Sequence, residues 1–146
     1  MNPEFIINEE LGNLISNVVK KFPSDKKRSA VIESLLILQH HNNGYVTKNI
    51  IKALSDYLLV SEIDIYEVAT FYTMINIDPV GRNVISVCNN ISCMLRGSDE
   101  ILSHIEDKLK IKVGESTKDN KFYLKDEIEC LAACNGGPMM QVNHKN

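Results

Sequence analysis

All four cysteines of this 146-residue chain lie in its second half, as two close pairs: Cys88 and Cys93 in CNNISC, and Cys130 and Cys134 in CLAAC. A C-x4-C pair and a C-x3-C pair read as four thiolates converging on one inorganic site, because thiolate is the soft ligand that transition metals take from a protein. Two other accounts compete. A buried free cysteine behaves as a small hydrophobe, which suits a lone residue better than two pairs in loops rich in Asn and Gly. Disulfides need an oxidising compartment. The N-terminal MNPEFIINEELG has no basic segment, long apolar run or small-residue cleavage pattern of a secretory signal. No stretch approaches the ~18 apolar residues that span a bilayer. The expectation is a soluble cytoplasmic protein, without direct membrane insertion, whose thiols stay reduced.

Spacing alone leaves zinc open, since structural zinc sites use tight C-x2-4-C knuckles. An iron–sulfur rhomb needs two thiolates at each iron and main-chain N–H groups around the bridging sulfides. The wider CNNISC loop can wrap such a group. Asn135-Gly136-Gly137, directly after Cys134, lets the main chain approach without Cβ clashes. These features tilt the reading toward [2Fe–2S], with N–H donors expected from residues 89–92 and 135–137. The pattern differs from the plant-type C-x4-C-x2-C spacing, so that fold is not implied.

The elements that must hold these loops can be read from periodicity. Leu11, Leu14, Ile15, Val18, Val19 and Phe22 form a helical stripe that stops at Pro23. Ser24 or Asp25 is expected to cap a second helix with Ala30, Val31, Leu35 and Leu38 inward and Gly44 as its stop. Thr47 caps a third, carrying Ile50, Ile51, Leu54 and Leu58. Ser61 and Asp64 resemble a capping box that opens a fourth helix, EIDIYEVATFYTM. Four short amphipathic helices imply a bundle. Asp78-Pro79-Val80-Gly81 breaks the pattern and divides the chain into domains 1–78 and 79–146. Beyond it NVISVC is a strand, Ser98 caps a helix with Ile101, Leu102, Ile105 and Leu109 on one face, and KFYLKD and MMQV are further strands. The fold class is α/β, and the segment from 88 to 121 has room for a parallel connection.

Four motifs in order, EVATFYTM, PVG, ISVCNNISCMLRGSDEIL and IECLAACNGGP, resemble the small thioredoxin-like [2Fe–2S] ferredoxin subunit of respiratory complex I. KRSA and GESTKDNKFYL extend the similarity over roughly residues 10–143. The resemblance implies a helical N-terminal domain, a thioredoxin-like second domain, and one [2Fe–2S] cluster held by Cys88, Cys93, Cys130 and Cys134. It implies a single-electron carrier for NADH:quinone oxidoreduction with no catalytic residue of its own. FMN and NADH would sit on the partner subunit only, and the partners would be that flavin subunit and other peripheral-arm subunits. The equivalent subunits of NAD-linked hydrogenases and formate dehydrogenases share the pattern, and a zinc-stabilised interaction module is the reading from another class. Two departures stand out. Ala132 occupies the place of a usual glycine, so the backbone there must tolerate a Cβ or the loop must shift slightly. The chain also reads as truncated after MMQV, with the expectation of an unpaired sheet edge that needs covering.

A net charge of −3 and a pI near 5.8 argue against a nucleic-acid partner held through phosphates. Lys20, Lys21, Lys26, Lys27 and Arg28 are expected to be a solvated cluster. Phe71 and Tyr72 are expected in the core of the fourth helix, with an interface role as the alternative. Glu62, Asp64 and Glu67 are expected on a charged outer face. His40, His41, His104 and His144 lie away from the cysteine loops and are not expected to be ligands.

Overall fold

The computed structural model describes residues 4–126, 128 and 130–143. The chain divides at the Pro79–Val80 junction into two compact units. The first is helical. Helix α1, Glu9–Val19, starts at Asn8, whose side-chain oxygen accepts the Leu11 N–H at 2.9 Å. Leu11, Ile15 and Val18 are buried, while Leu14 is 45% exposed, so the inward stripe is narrower than the apolar pattern. Helix α2, Val31–His41, has no side-chain cap, and neither Ser24 nor Asp25 serves as one. A 3₁₀ turn, Lys27–Ala30, runs straight into it. The carbonyls of that turn take the first N–H groups of α2, which removes the need for a capping side chain. Asn43 and Gly44, at φ 57° and 92°, end it with the Gly44 N–H donating to the Gln39 carbonyl at 2.8 Å.

Helix α3, Lys48–Leu58, is capped by Thr47, whose hydroxyl accepts the Ile50 N–H at 3.2 Å. Helix α4, Glu62–Phe71, begins at Ser61, whose Oγ accepts the Asp64 N–H at 3.3 Å and donates to the Asp64 carboxylate at 2.7 Å. The helix ends three residues earlier than its apolar pattern. Gln39, only 5% exposed, explains this: its Nε2 donates to the Met74 carbonyl at 3.0 Å and its Oε1 accepts the Asn76 N–H at 2.6 Å. These long-range bonds compete with continuation of the helix and hold residues 74–76 against the end of α2. Ile65 and Ala69 face inward with Leu35, Leu38, Leu54 and Leu58. Phe71 is not a core residue. It stands 75% exposed at the last helical position, while the extended backbone at Tyr72 turns that ring partly onto the core. Most of the basic cluster is exposed, and part of it is paired: Lys21 to Glu33 at 2.6 Å, and Arg28 to Asp64 and Glu67 at 3.2 and 3.4 Å.

The second unit is a three-stranded sheet in the order β2-β1-β3. Strand β1, Asn83–Val87, lies parallel to β2, Phe122–Leu124, and antiparallel to β3, Met140–Val142. Between β1 and β2 come a short helix α5, Ile91–Met94, which the apolar periodicity does not announce, and helix α6, Ser98–Leu109. Ile101, Leu102, Ile105 and Leu109 pack from α6 onto Ile85, Val87, Ile111 and Leu124. Ser98 is not the cap of α6. Gly97, at φ 95°, holds that position, and Ser98 is the first helical residue with its hydroxyl buried. A left-handed residue here turns the chain sharply out of α5, and glycine does so without a Cβ penalty.

Gly81 is set by space. A Cβ on it would stand 2.5 Å from the Phe122 carbonyl carbon and 2.9 Å from the Tyr123 nitrogen, both main-chain atoms of β2. Gly81→Ala is expected to destabilise the protein by about 3 kcal/mol, the upper part of the range for overpacking, because backbone has to move. A chemical denaturation curve with an unshifted midpoint would show that β2 yields freely.

Candidate metal centre

The strand order brings the two cysteine pairs together. Parallel pairing puts Leu124 beside Ile85, and antiparallel pairing puts Met140 beside Val87, so β2 ends and β3 begins at the end of β1 where Cys88 follows. With β1 between them, the connection from β2 to β3 has to cross that end, and it carries Cys130 and Cys134. The Cys88 N–H donates to the Met139 carbonyl at 2.9 Å and ties the start of one loop to the end of the other. Cys93 returns toward Cys88 because α5 curls the chain at once, with its N–H donating to the Asn90 carbonyl at 2.9 Å.

All four cysteines are free thiols; Cys88 and Cys93 are buried, Cys130 and Cys134 exposed. Burial pushes the Cys88 thiol up, yet the main-chain N–H groups of Leu131 and Asn90, helped by the Cys93 and Cys130 thiols, outweigh it and hold Cys88 below the usual thiol range. At Cys93 the Met139 N–H pulls down, but burial and the neighbouring Cys88 and Cys134 sulfurs push harder, and this thiol lies above its usual range. Sulfurs packed this closely resist ionising together, since each thiolate raises the cost of the next. A cationic metal centre relieves that repulsion.

The N–H donors differ from those expected. Asn90 falls in the anticipated stretch, but Leu131 and Met139 lie outside it, and the Ala132 N–H meets the Cys130 sulfur at 3.4 Å. No local pattern marks these residues, because their amides are aimed by the crossing connection. The glycines also separate in role. A Cβ on Gly136 would meet only the Met139 sulfur at 3.9 Å, whereas one on Gly137 would point into the space beside Cys93, 3.6 Å from its Sγ. Gly137 has an ordinary φ of −61°, so its missing side chain matters for room rather than for backbone freedom. Ala132 has φ 54°, the left-handed region that costs a Cβ-bearing residue about 1 kcal/mol. Ala132→Gly is therefore expected to stabilise the protein by about 1 kcal/mol in thermal or denaturant melts, and a destabilised variant would refute it.

These residues fit an iron–sulfur group: paired free thiols, amides turned toward three of the sulfurs, and a cradle at Gly137 that a side chain would fill. Among the described residues no group of three or more His, Cys, Asp or Glu side chains is gathered closely enough to hold a metal ion. His40, His41 and His104 are exposed, and His144 lies outside the described residues. No helix among the described residues is long and apolar enough to cross a membrane.

Comparison with known proteins agrees with this chemistry. The family model for thioredoxin-like [2Fe–2S] ferredoxins matches residues 15–146. A subunit of the NADH-quinone oxidoreductase of Rickettsia prowazekii is 43% identical over 142 residues, covering 97% of this chain and 80% of the relative. The subunit of the same name from Rickettsia bellii is 45% identical over 131 residues, 90% of this chain and 78% of the relative. The mitochondrial NADH dehydrogenase [ubiquinone] flavoprotein 2 of Dictyostelium discoideum is 40% identical over 129 residues, 88% of this chain and 52% of that longer protein. With its crossing connection, paired thiols and a match over most of its length, the chain belongs to the thioredoxin-like [2Fe–2S] ferredoxin family.

Proposed function

We propose that Cys88, Cys93, Cys130 and Cys134 hold one [2Fe–2S] cluster, and that the chain serves as the electron-transfer subunit of a multi-subunit NADH:quinone oxidoreductase. The observation that carries the ligand set is the placement of the CLAAC connection across the end of β1, with the Cys88 thiol in reach of both Cys93 and Cys130. When bound, the cluster supplies a one-electron site, its four thiolates and two sulfides around two ferric ions carrying about −2, and about −3 after reduction. The protein's part is to make that extra negative charge tolerable. Amides of Asn90, Leu131, Ala132 and Met139 point at sulfur and stay fixed as the charge changes. Burial of Cys88 and Cys93 keeps water from one side, which favours a low potential. A low-potential, one-electron site suits a neighbour of flavin, which takes hydride as a pair of electrons and releases them singly.

The partner is then the FMN- and NADH-binding subunit in the peripheral arm of the complex, with this chain contributing no acid–base or nucleophilic group. Phe71 supports a docking role for the helical unit. It forms an edge-on pair with Tyr72, 5.1 Å between centroids, beside a cleft of about 500 Å³ that Arg28 and Glu67 also line. Exposed aromatics grouped with arginine are typical anchors of protein interfaces.

Anaerobic purification tests the reading. The expected protein is reddish, with two irons and two acid-labile sulfides per chain and an EPR signal on reduction, and it co-purifies from its source with a flavin-containing subunit. A colourless protein carrying one zinc per chain would overturn the electron-carrier role.

A further inference from the structure

We propose that Arg96 ties the two cysteine loops together and raises the reduction potential of the centre; the inference rests on the ligand set above. Arg96 lies three residues after Cys93, in the turn that closes α5, with its N–H donating to the Cys93 carbonyl at 3.1 Å. Its side chain crosses to the other loop, where Nη1 donates to the Cys134 carbonyl at 3.1 Å. One side chain thus spans from the residue pair 88/93 to the residue pair 130/134. A point off the Gly137 Cα lies 3.8 Å from Arg96 Nη1 and 3.6 Å from Cys93 Sγ, so the two atoms are at most about 7.4 Å apart. Among the described residues, no carboxylate lies within ion-pair distance of this guanidinium to offset its charge.

Arginine stays protonated at any working pH. A fixed positive charge at this range favours the more negative, reduced form and leaves the oxidised form less affected. Because the guanidinium is exposed, water screens it, and an effect of about tenfold on the reduction equilibrium is expected, ~59 mV for one electron. The bond to the Cys134 carbonyl fixes where that charge sits. Arg96 is a positioning residue here, since it acts through charge and through the loop and contributes no ligand atom.

The test is an EPR-monitored redox titration of the full chain, purified anaerobically as wild type, Arg96→Gln and Arg96→Lys, with iron and sulfide measured on each. Wild type should contain two irons and two sulfides; if it does not, the ligand set itself fails. Given a loaded wild type, Arg96→Gln should keep its cluster with a midpoint lowered by about tenfold in equilibrium constant, ~59 mV, while Arg96→Lys stays near wild type because the charge is kept. An unchanged midpoint in Arg96→Gln, or an equal fall in both variants, overturns the electrostatic role. Should Arg96→Gln lose its iron, Arg96→Lys decides the electrostatic role: a loaded centre at the wild-type midpoint supports it, and a lowered midpoint or lost iron refutes it and leaves only the loop tie.

Discussion

Cys93→Ser is expected to strip most of the iron and sulfide from the protein, at least tenfold in occupancy, and to change the EPR signal of whatever remains. Cys93 is 2% exposed and has the Met139 N–H turned toward its sulfur. Serine would have to bind as an alkoxide, and its hydroxyl ionises far less readily than a thiol. Leaving a charged oxygen in so enclosed a place costs several kcal/mol unless fully paired. The fold should survive, since a hydroxyl is smaller than a thiol and the same N–H is there to meet it. Far-UV circular dichroism with iron and sulfide analysis separates the two effects. Full iron content and an unaltered EPR spectrum would remove Cys93 from the ligand set.

Gly137→Val is expected to produce a similar loss without touching a ligand. Its first side-chain atom would take a place 3.6 Å from Cys93 Sγ, 3.5 Å from the Cys134 carbonyl oxygen and 3.8 Å from Arg96 Nη1. Those are ordinary contacts, so an alanine is accommodated in the metal-free chain. The two further methyl carbons of valine press on the sulfur, the carbonyl or the guanidinium, and they fill the cradle beside Cys93. Changes that disturb the surroundings of metal ligands typically cost 10- to 100-fold in affinity, and the same range is expected here. Gly136→Ala is the control, because its Cβ meets only the Met139 sulfur at 3.9 Å. Equal iron content in Gly137→Val and wild type would show that the space beside Cys93 is not needed.

Much of the scaffold was legible in the chain itself, and for a local reason. The Thr47 and Ser61 caps, the Gly44 stop and the inward faces of α3 and α6 each depend on residues three or four apart, within reach of helical geometry. The β-branched run before Cys88 is a strand for the same kind of reason. Where prediction failed, one cause was a distant group and the others were local backbone geometry. Gln39 draws residues 74–76 off the end of α4, and Phe71, two residues past the buried Ala69, falls on the outer face of the helix. The 3₁₀ turn before α2 replaces the caps expected at Ser24 or Asp25, and Gly97 takes the place expected for Ser98.

The cysteine spacings by themselves point to thiolate ligation of a metal and leave zinc and iron–sulfur open, since ligand type is a property of side chains. What surrounds those thiols is a property of topology. Only the order β2-β1-β3 sends the CLAAC connection across the end of β1, aims the Leu131 and Met139 amides at sulfur, and brings Arg96 to the Cys134 carbonyl. Amides exist at nearly every position, so no residue type marks the ones that matter. Their direction is set when strands distant in sequence pair.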